Sequence, residues 1–239
     1  MNNRYVGDIN DYRKYGLLRL LTRSHSMKHA VCWMRTPDER HSERSSRISY
    51  LHYPLIWSPY DPELFDCLRD IVVKRKIRNV SAIEKSGILG EGIFFSECIP
   101  DDIRGRARYF KSFMDRAQLA DLLFFDPDNG IEVPSMPCGW KGSSKYLYWR
   151  ELITAYTSGH SVLIYQHFPR ITRQGFIASI ADRLVRETGS PVVYSFRTTH
   201  VLFLLICFAD HSDAIQQVIP EIEKKWEPQF GICRHEGKG

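Results

Sequence analysis

The residues with the clearest chemical potential are the carboxylates of one short segment, residues 121–132. Four large apolar residues in this segment are followed directly by Asp126, with Asp128 and Glu132 close behind. A carboxylate at the end of a buried strand must find a partner or a ligand, because burial disfavours its charge. Carboxylates grouped in this way can hold a divalent cation. We therefore predict a functional site centred on Asp126.

Ordinary turn formation accounts for part of the same segment. Proline, asparagine and glycine favour tight turns, which is sufficient to explain Pro127, Asn129 and Gly130. It does not explain an aspartate at the point where the strand ends. The uninterrupted apolar run is typical of a parallel sheet covered on both faces, and ligands of such sheets bind outside the carboxyl ends of the strands.

Strands and helices alternate along the 239 residues, which we interpret as one domain. We predict a three-layer, Rossmann-like α/β fold with a mostly parallel sheet and a C-terminal antiparallel hairpin. The predicted strands are 29–34, 80–84, 93–95, 122–125, 161–165, 192–196 and 201–208. The predicted helices are an N-terminal helix capped by Asp8 or Asn10, then 61–71, 104–117, 146–156, 174–187 and 213–226.

Polar side chains follow four of the predicted strands. They are Asp38 and Glu39 after the first strand, Glu84 after the second, Asp126 and Asp128 after 122–125, and His167 and Arg170 after 161–165. If these strands are parallel, the four groups converge on one edge of the sheet, and such convergence favours an enzyme.

The composition limits the classes of protein and partner. The net charge of +5 permits a nucleic-acid partner without requiring one. We expect no membrane span, because no apolar run approaches the roughly 20 residues needed. The N-terminus has no apolar core of a signal peptide, and the six cysteines are dispersed, so we expect a cytoplasmic protein with reduced thiols.

The order of elements resembles that of Rossmann-like methyltransferases. More narrowly, residues 7–15, Glu84 and residues 126–129 resemble motifs of the enzymes that methylate adenine N6 in large-subunit ribosomal RNA. In that family the corresponding motifs are Gly-Asn-x-x-Asp-x-x-Lys-His, an acid at the second strand and Asp-Pro-Pro-Tyr. The chain is also similar to a group of functionally uncharacterised bacterial proteins that share Gly-Asp-Ile-x-Asp, Phe-Asp-Pro-Asp-Asn-Gly and Tyr-x-His.

The resemblance implies S-adenosylmethionine as cofactor and nucleic acid as substrate. It places Lys14 near the cofactor carboxylate, Glu84 at its ribose and Asp126 at the amino group to be methylated. Asp126, Asn129 and His167 are then the expected catalytic residues, with the target base turned out of its helix to reach them.

Departures from the family pattern keep two alternatives open. The glycine-rich turn after the first strand is absent, and Asp128 and Asn129 replace a proline and a stacking aromatic residue. One alternative is a nuclease or phosphodiesterase in which Asp126, Asp128 and Glu132, with Asp38 or Glu39, hold Mg²⁺ or Mn²⁺, and Lys145 or His167 assists. The other is a non-catalytic module that binds a nucleotide or a partner protein.

Overall fold

The computed structural model describes residues 1–23, 27–37 and 47–237. Its α-helices are α1 (Ile9–Arg23), α2 (Pro54–Trp57), α3 (Pro62–Arg69), α4 (Val80–Ser86), α5 (Ile103–Ala117), α6 (Trp149–Thr157), α7 (Arg173–Thr188) and α8 (Ser212–Trp226). Its strands are β1 (His29–Cys32), β2 (Gly92–Phe95), β3 (Leu122–Phe125), β4 (Gly130–Ile131), β5 (Tyr146–Leu147), β6 (Ser161–His167), β7 (Val192–Arg197), β8 (Val201–Cys207) and β9 (Gly231–Glu236). A π-helical turn, Asp70–Lys74, extends α3.

Seven of the described strands form one mixed sheet in the order β2-β1-β3-β6-β8-β7-β9. The first four are parallel to one another, whereas β8 is antiparallel to both β6 and β7. The predicted C-terminal hairpin is therefore confirmed as β7 and β8. β4 and β5 form a separate pair beside the sheet.

Helices pack on both faces of the sheet, because alternate residues of each central strand point to opposite sides. Val31 and Phe124 face one core, whereas Cys32 and Phe125 face the other. The first core contains residues of α1, α3, α4 and α8, and the second contains residues of α5, α6 and α7. Burial on both sides explains why these strands are uninterrupted apolar runs. The fold is mixed α/β, as predicted.

The prediction of a strand at 80–84 is wrong, because this segment forms α4. The side chain of Asn79 accepts a hydrogen bond from the Ser81 amide and caps the helix, and Gly87 ends it with a φ of 68°. A short apolar run fits a buried helix as well as a strand. A strand was also missed, since β9 is formed by residues that the sequence shows as a polar tail. Within the described ranges, no helix is long and apolar enough to cross a membrane.

Candidate functional site at the carboxyl ends of the strands

The site lies where the strand order changes direction. From β1 the chain moves to β2 on one side of it and then returns to β3 on the other side. Loops that leave β1 and β3 therefore run in opposite directions and open a crevice at the carboxyl ends of these strands. Because β1, β3 and β6 are parallel, the residues that follow them meet at this crevice.

The floor of the site is a buried ion cluster. The Lys14 ammonium on α1 donates to both carboxylate oxygens of Asp126, at 2.9 and 2.8 Å, and lies 2.8 Å from an oxygen of Asp11. All three side chains are almost fully buried. Lys14 is thus not the solvent-facing lysine that is usual on helices. It joins the N-terminal helix to the end of β3.

Burial and charge determine the protonation of this cluster. Burial raises the pKa of Asp126 above its ordinary value, and the Lys14 charge opposes that effect. Burial likewise raises the pKa of Asp11 and of Asp8, which lies at the start of α1. Burial alone would lower the pKa of Lys14, but the carboxylates of Asp11 and Asp126 raise it overall. We conclude that Lys14 is an ammonium at neutral pH.

The turn after β1 is made without glycine. Met34 takes a φ of 45° and is completely buried, a left-handed conformation that costs a side-chain-bearing residue roughly 1–3 kcal/mol. Its carbonyl accepts a hydrogen bond of 2.9 Å from the amino group of Met1, which also donates to the Asp126 carbonyl. The turn that the resemblance expects to be glycine-rich is therefore formed by a strained methionine.

Asp128 is bound beside this turn. Its carboxylate lies 3.2 Å from the Met1 amino group and accepts a 2.7 Å hydrogen bond from the Thr36 hydroxyl. Burial raises the pKa of Asp128, but the Met1 and Thr36 contacts outweigh burial and lower it below the ordinary value. Asp128 is therefore an anion that is already partnered.

A cavity of about 780 Å³ opens above the ion cluster. It is lined by buried groups and by exposed ones, so it connects the cluster with solvent. The residues that line it include Asp8, Asp11, Lys14, Arg47, Asp126, Asn129, Lys145, Tyr165, His167 and His200. This volume lies within the range of roughly 300–1,000 Å³ found for small-molecule sites.

The end of β6 supplies the opposite wall. The ring of buried Tyr165 lies 4.8 Å from the Lys14 ammonium, and its hydroxyl is 3.2 Å from Nε2 of His167. Although part of the His167 side chain is exposed, enclosure by the protein and the positive Lys14 lower the pKa of the imidazole. His167 is therefore neutral at pH 7 and can donate or accept one hydrogen bond on each nitrogen.

Close packing holds Asn129 at this wall. Gly130 has a φ of 112°, and a Cβ there would lie 2.4 Å from the amide group of Gln166. That amide accepts a hydrogen bond from the Ile131 N–H, and the Asn129 carbonyl accepts one from the His167 N–H. Gly130 is thus required at this turn, as turn chemistry predicts, whereas Asn129 lines the cavity.

Two predicted site residues lie elsewhere. The Glu84 carboxylate accepts a 2.7 Å hydrogen bond from the Trp33 indole and does not line the cavity. The Glu132 carboxylate accepts one from the Trp149 amide at the start of α6. Asp38 and Glu39 lie outside the described residues. Among the residues that are described, no three His, Cys, Asp or Glu side chains are placed to share a metal ion.

Sequence reasoning missed three members of the site as functional groups, namely Asp8, Asp11 and Tyr165. A signal for Asp11 exists, because residues three apart on a helix are neighbours and Asp11 and Lys14 have that spacing. Tyr165 stands in the Tyr-x-His motif of residues 165–167, but that motif assigns it no role, and an aromatic residue in a buried strand is ordinarily a core residue.

Comparison with known proteins assigns no family. No protein-family model matches the sequence, and no curated protein matches it. Among solved structures, the chain is similar to protein LPL1258 of Legionella pneumophila strain Philadelphia 1, which is described by the family model DUF519. The two are 11% identical with a TM-score of 0.48, over 98% of each chain. The resemblance to adenine-N6 methyltransferases therefore stays a prediction.

Proposed function

We propose that the chain is a Rossmann-like, S-adenosylmethionine-dependent methyltransferase that acts on an exocyclic amino group of a nucleic-acid base. One observation supports this most strongly. Asp126 is a carboxylate of 1% exposure at the carboxyl end of β3, and it lines the cavity where the strand order reverses. Nucleoside-containing ligands of open α/β sheets bind at such reversals.

The chemistry of the cavity lining suits this cofactor. S-adenosylmethionine carries an ammonium, a carboxylate and a sulfonium, so a complementary site must offer charges of both signs. Asp8 would hold the ammonium, and Lys145 would hold the carboxylate. Lys14 also lines the cavity, but a ligand carboxylate would reach it only in competition with Asp11 and Asp126.

The residues of the chain would orient the acceptor and take up its proton. When bound, the cofactor would supply an electrophilic methyl group, whose bond to the sulfonium sulfur would break as the N–C bond forms and leave a neutral thioether. Asp126 accepts a hydrogen bond from the amine, directs the nitrogen lone pair toward the methyl carbon and receives the proton released when the N–C bond forms. Its raised pKa favours that role. Because Lys14 occupies both oxygens of Asp126, the amine must displace it, and Asp11 keeps the ammonium paired.

Calorimetric titration with S-adenosylmethionine and a methyl-transfer assay test the proposal. We expect the wild type to bind the cofactor and to transfer labelled methyl groups to RNA or DNA. Asp126→Asn should retain cofactor binding and lose about 10²–10⁴-fold in transfer rate, because the amide keeps the shape of the side chain but cannot take the proton. Asp115→Asn, at an exposed position, is the matched control.

Absence of cofactor binding, with or without nucleic acid present, would exclude methyl transfer. Titration of the metal-free protein with Mn²⁺ provides the contrast. Mn²⁺ binding that is lost in Asp126→Asn, without any response to S-adenosylmethionine, would instead favour phosphodiester cleavage.

A further inference from the structure

The mouth of the cavity differs in charge from its floor. The floor residues Asp11, Lys14 and Asp126 are buried, whereas Arg47 and His200 line the same cavity and are exposed. Burial lowers the pKa of His200, and so do three arginines, Arg47, Arg13 and Arg173. The charges that shift the pKa of His200 are thus those of arginines.

Arg47 also acts on groups besides His200. Burial is the main cause that lowers the pKa of Arg13 on α1 and of His167 at the end of β6, and the Arg47 charge adds to both shifts. Arg47, His167 and His200 line the same cavity from three separate segments of the chain. The positive charge therefore acts across the mouth and not along one helix surface.

An aromatic side chain adjoins these cations. Phe168 follows β6 directly and is partly exposed, and the Arg173 guanidinium lies 5.3 Å from the centre of its ring. Phe176 supports the ring edge-to-face at 6.2 Å. In the same turn, Ile171 is an exposed apolar side chain with 61% of its surface accessible.

Cations interleaved with an aromatic ring suit a single-stranded nucleic acid. Arginines contact the phosphates, and the bases stack on the ring without sequence preference. A paired, stacked base cannot reach a carboxylate as deeply buried as Asp126, so the substrate base must be unpaired or turned out.

We infer that Arg47, Phe168, Arg173 and His200, here called the collar, bind single-stranded nucleic acid and direct one base into the cavity. This inference rests on the proposed function, since it names the form in which the substrate reaches Asp126. The collar is the binding surface, and the floor carries out the chemistry.

Fluorescence anisotropy with a labelled 12-nucleotide strand tests the collar, measured without S-adenosylmethionine. We expect the single strand to bind more tightly than its duplex. Phe168→Ala should weaken binding about 5- to 100-fold through loss of stacking. Arg173→Ala should weaken it and reduce the slope of log K against log salt by about 0.7, as expected for one phosphate contact to a single strand.

Arg186→Ala is the matched control, because Arg186 lies on the same helix α7 and is 68% exposed. Thermal unfolding of each variant shows whether it remains folded. Because Arg173 is exposed, Arg173→Ala removes no core packing. Equal binding of duplex and single strand would overturn the inference. So would equal weakening by Arg186→Ala and Arg173→Ala, or equally tight binding of an acidic peptide of the same charge.

The two proposals fail separately. If the protein binds S-adenosylmethionine but no single strand, the role of the collar is rejected and the proposed cofactor site stands. If it binds the single strand but not the cofactor, the role of the collar stands and methyl transfer is rejected.

Discussion

Lys14 neutralises two carboxylates that the fold removes from water. An unpaired ion inside a protein is so costly that it ordinarily changes its protonation state instead. Here the ammonium lies within 2.9 Å of both Asp11 and Asp126, and its charge opposes the rise in pKa that burial causes in both acids. The cluster therefore serves stability and favours the ionised form of Asp126 that can accept a proton.

Replacing Lys14 by methionine keeps an unbranched side chain that is only one atom shorter and removes its charge. We expect Lys14→Met to lower the free energy of unfolding by about 3–5 kcal/mol, because buried carboxylates are left without a partner. The pKa values of Asp11 and Asp126, raised by burial, should then rise further, so the folded state binds more protons than the unfolded chain. The loss should accordingly be smaller at pH 5 than at pH 8. Urea unfolding at both pH values measures this.

Lys111→Met is the control for that substitution. Lys111 pairs with Asp115 on the surface of α5 and is 75% exposed, so its removal should cost less than about 1 kcal/mol. A Lys14→Met protein that is as stable as Lys111→Met, or whose loss grows toward acid, would contradict our account of the cluster.

The residue Lys76, just after the π-helical turn, has a strained backbone conformation that a substitution can relieve. Lys76 has a φ of 56° and is exposed, so its side chain contributes little to packing. Left-handed backbone costs such a residue roughly 1–2 kcal/mol, and glycine avoids that cost.

We expect Lys76→Gly to raise the free energy of unfolding by about 0.5–1 kcal/mol, measured by urea denaturation. Lys74→Gly tests whether the gain depends on backbone conformation. Lys74 lies inside the helical segment, where glycine should destabilise by about 1 kcal/mol. Equal effects of the two substitutions would exclude relief of strain as the cause.

The elements also show what sequence could and could not predict. Segments 122–125 and 161–165 were recognisable because strands buried on both faces are uninterrupted apolar runs. Segment 80–84 is a short stretch with two β-branched apolar residues, which a strand also favours, but the Asn79 side chain caps it as a helix. β9 escaped prediction because it is an edge strand with mostly exposed, polar residues.

The site could also be predicted only in part from the sequence. Asp126 stands out because it directly follows a buried strand. Its partner Lys14 lies 112 residues away, and no local pattern reveals contacts between positions so distant. The resemblance pointed to Lys14 as a contact of the cofactor carboxylate and not as a partner of Asp126. Pairing with Asp11 and Asp126 is a property of the assembled fold.

We expect the whole molecule to unfold as one cooperative unit, because its helices pack against one continuous sheet. Trp33 follows β1 and Trp226 ends α8, both are almost fully buried, and both belong to the same core. We expect tryptophan fluorescence and far-ultraviolet circular dichroism to give the same midpoint in urea, because no part of the sheet can lose its core alone. Transitions that separate by probe would contradict the prediction of a single domain.

The two outer strands have a consequence for behaviour at high protein concentration. An outermost strand exposes N–H and C=O groups on which another chain can add as a further strand. β2 is only four residues long, and β9 carries exposed Arg234 and Glu236, which pair at 2.8 Å. A second copy that docked along β9 would have to dehydrate these charges. We therefore expect the sheet to resist growth by addition of strands from a second copy.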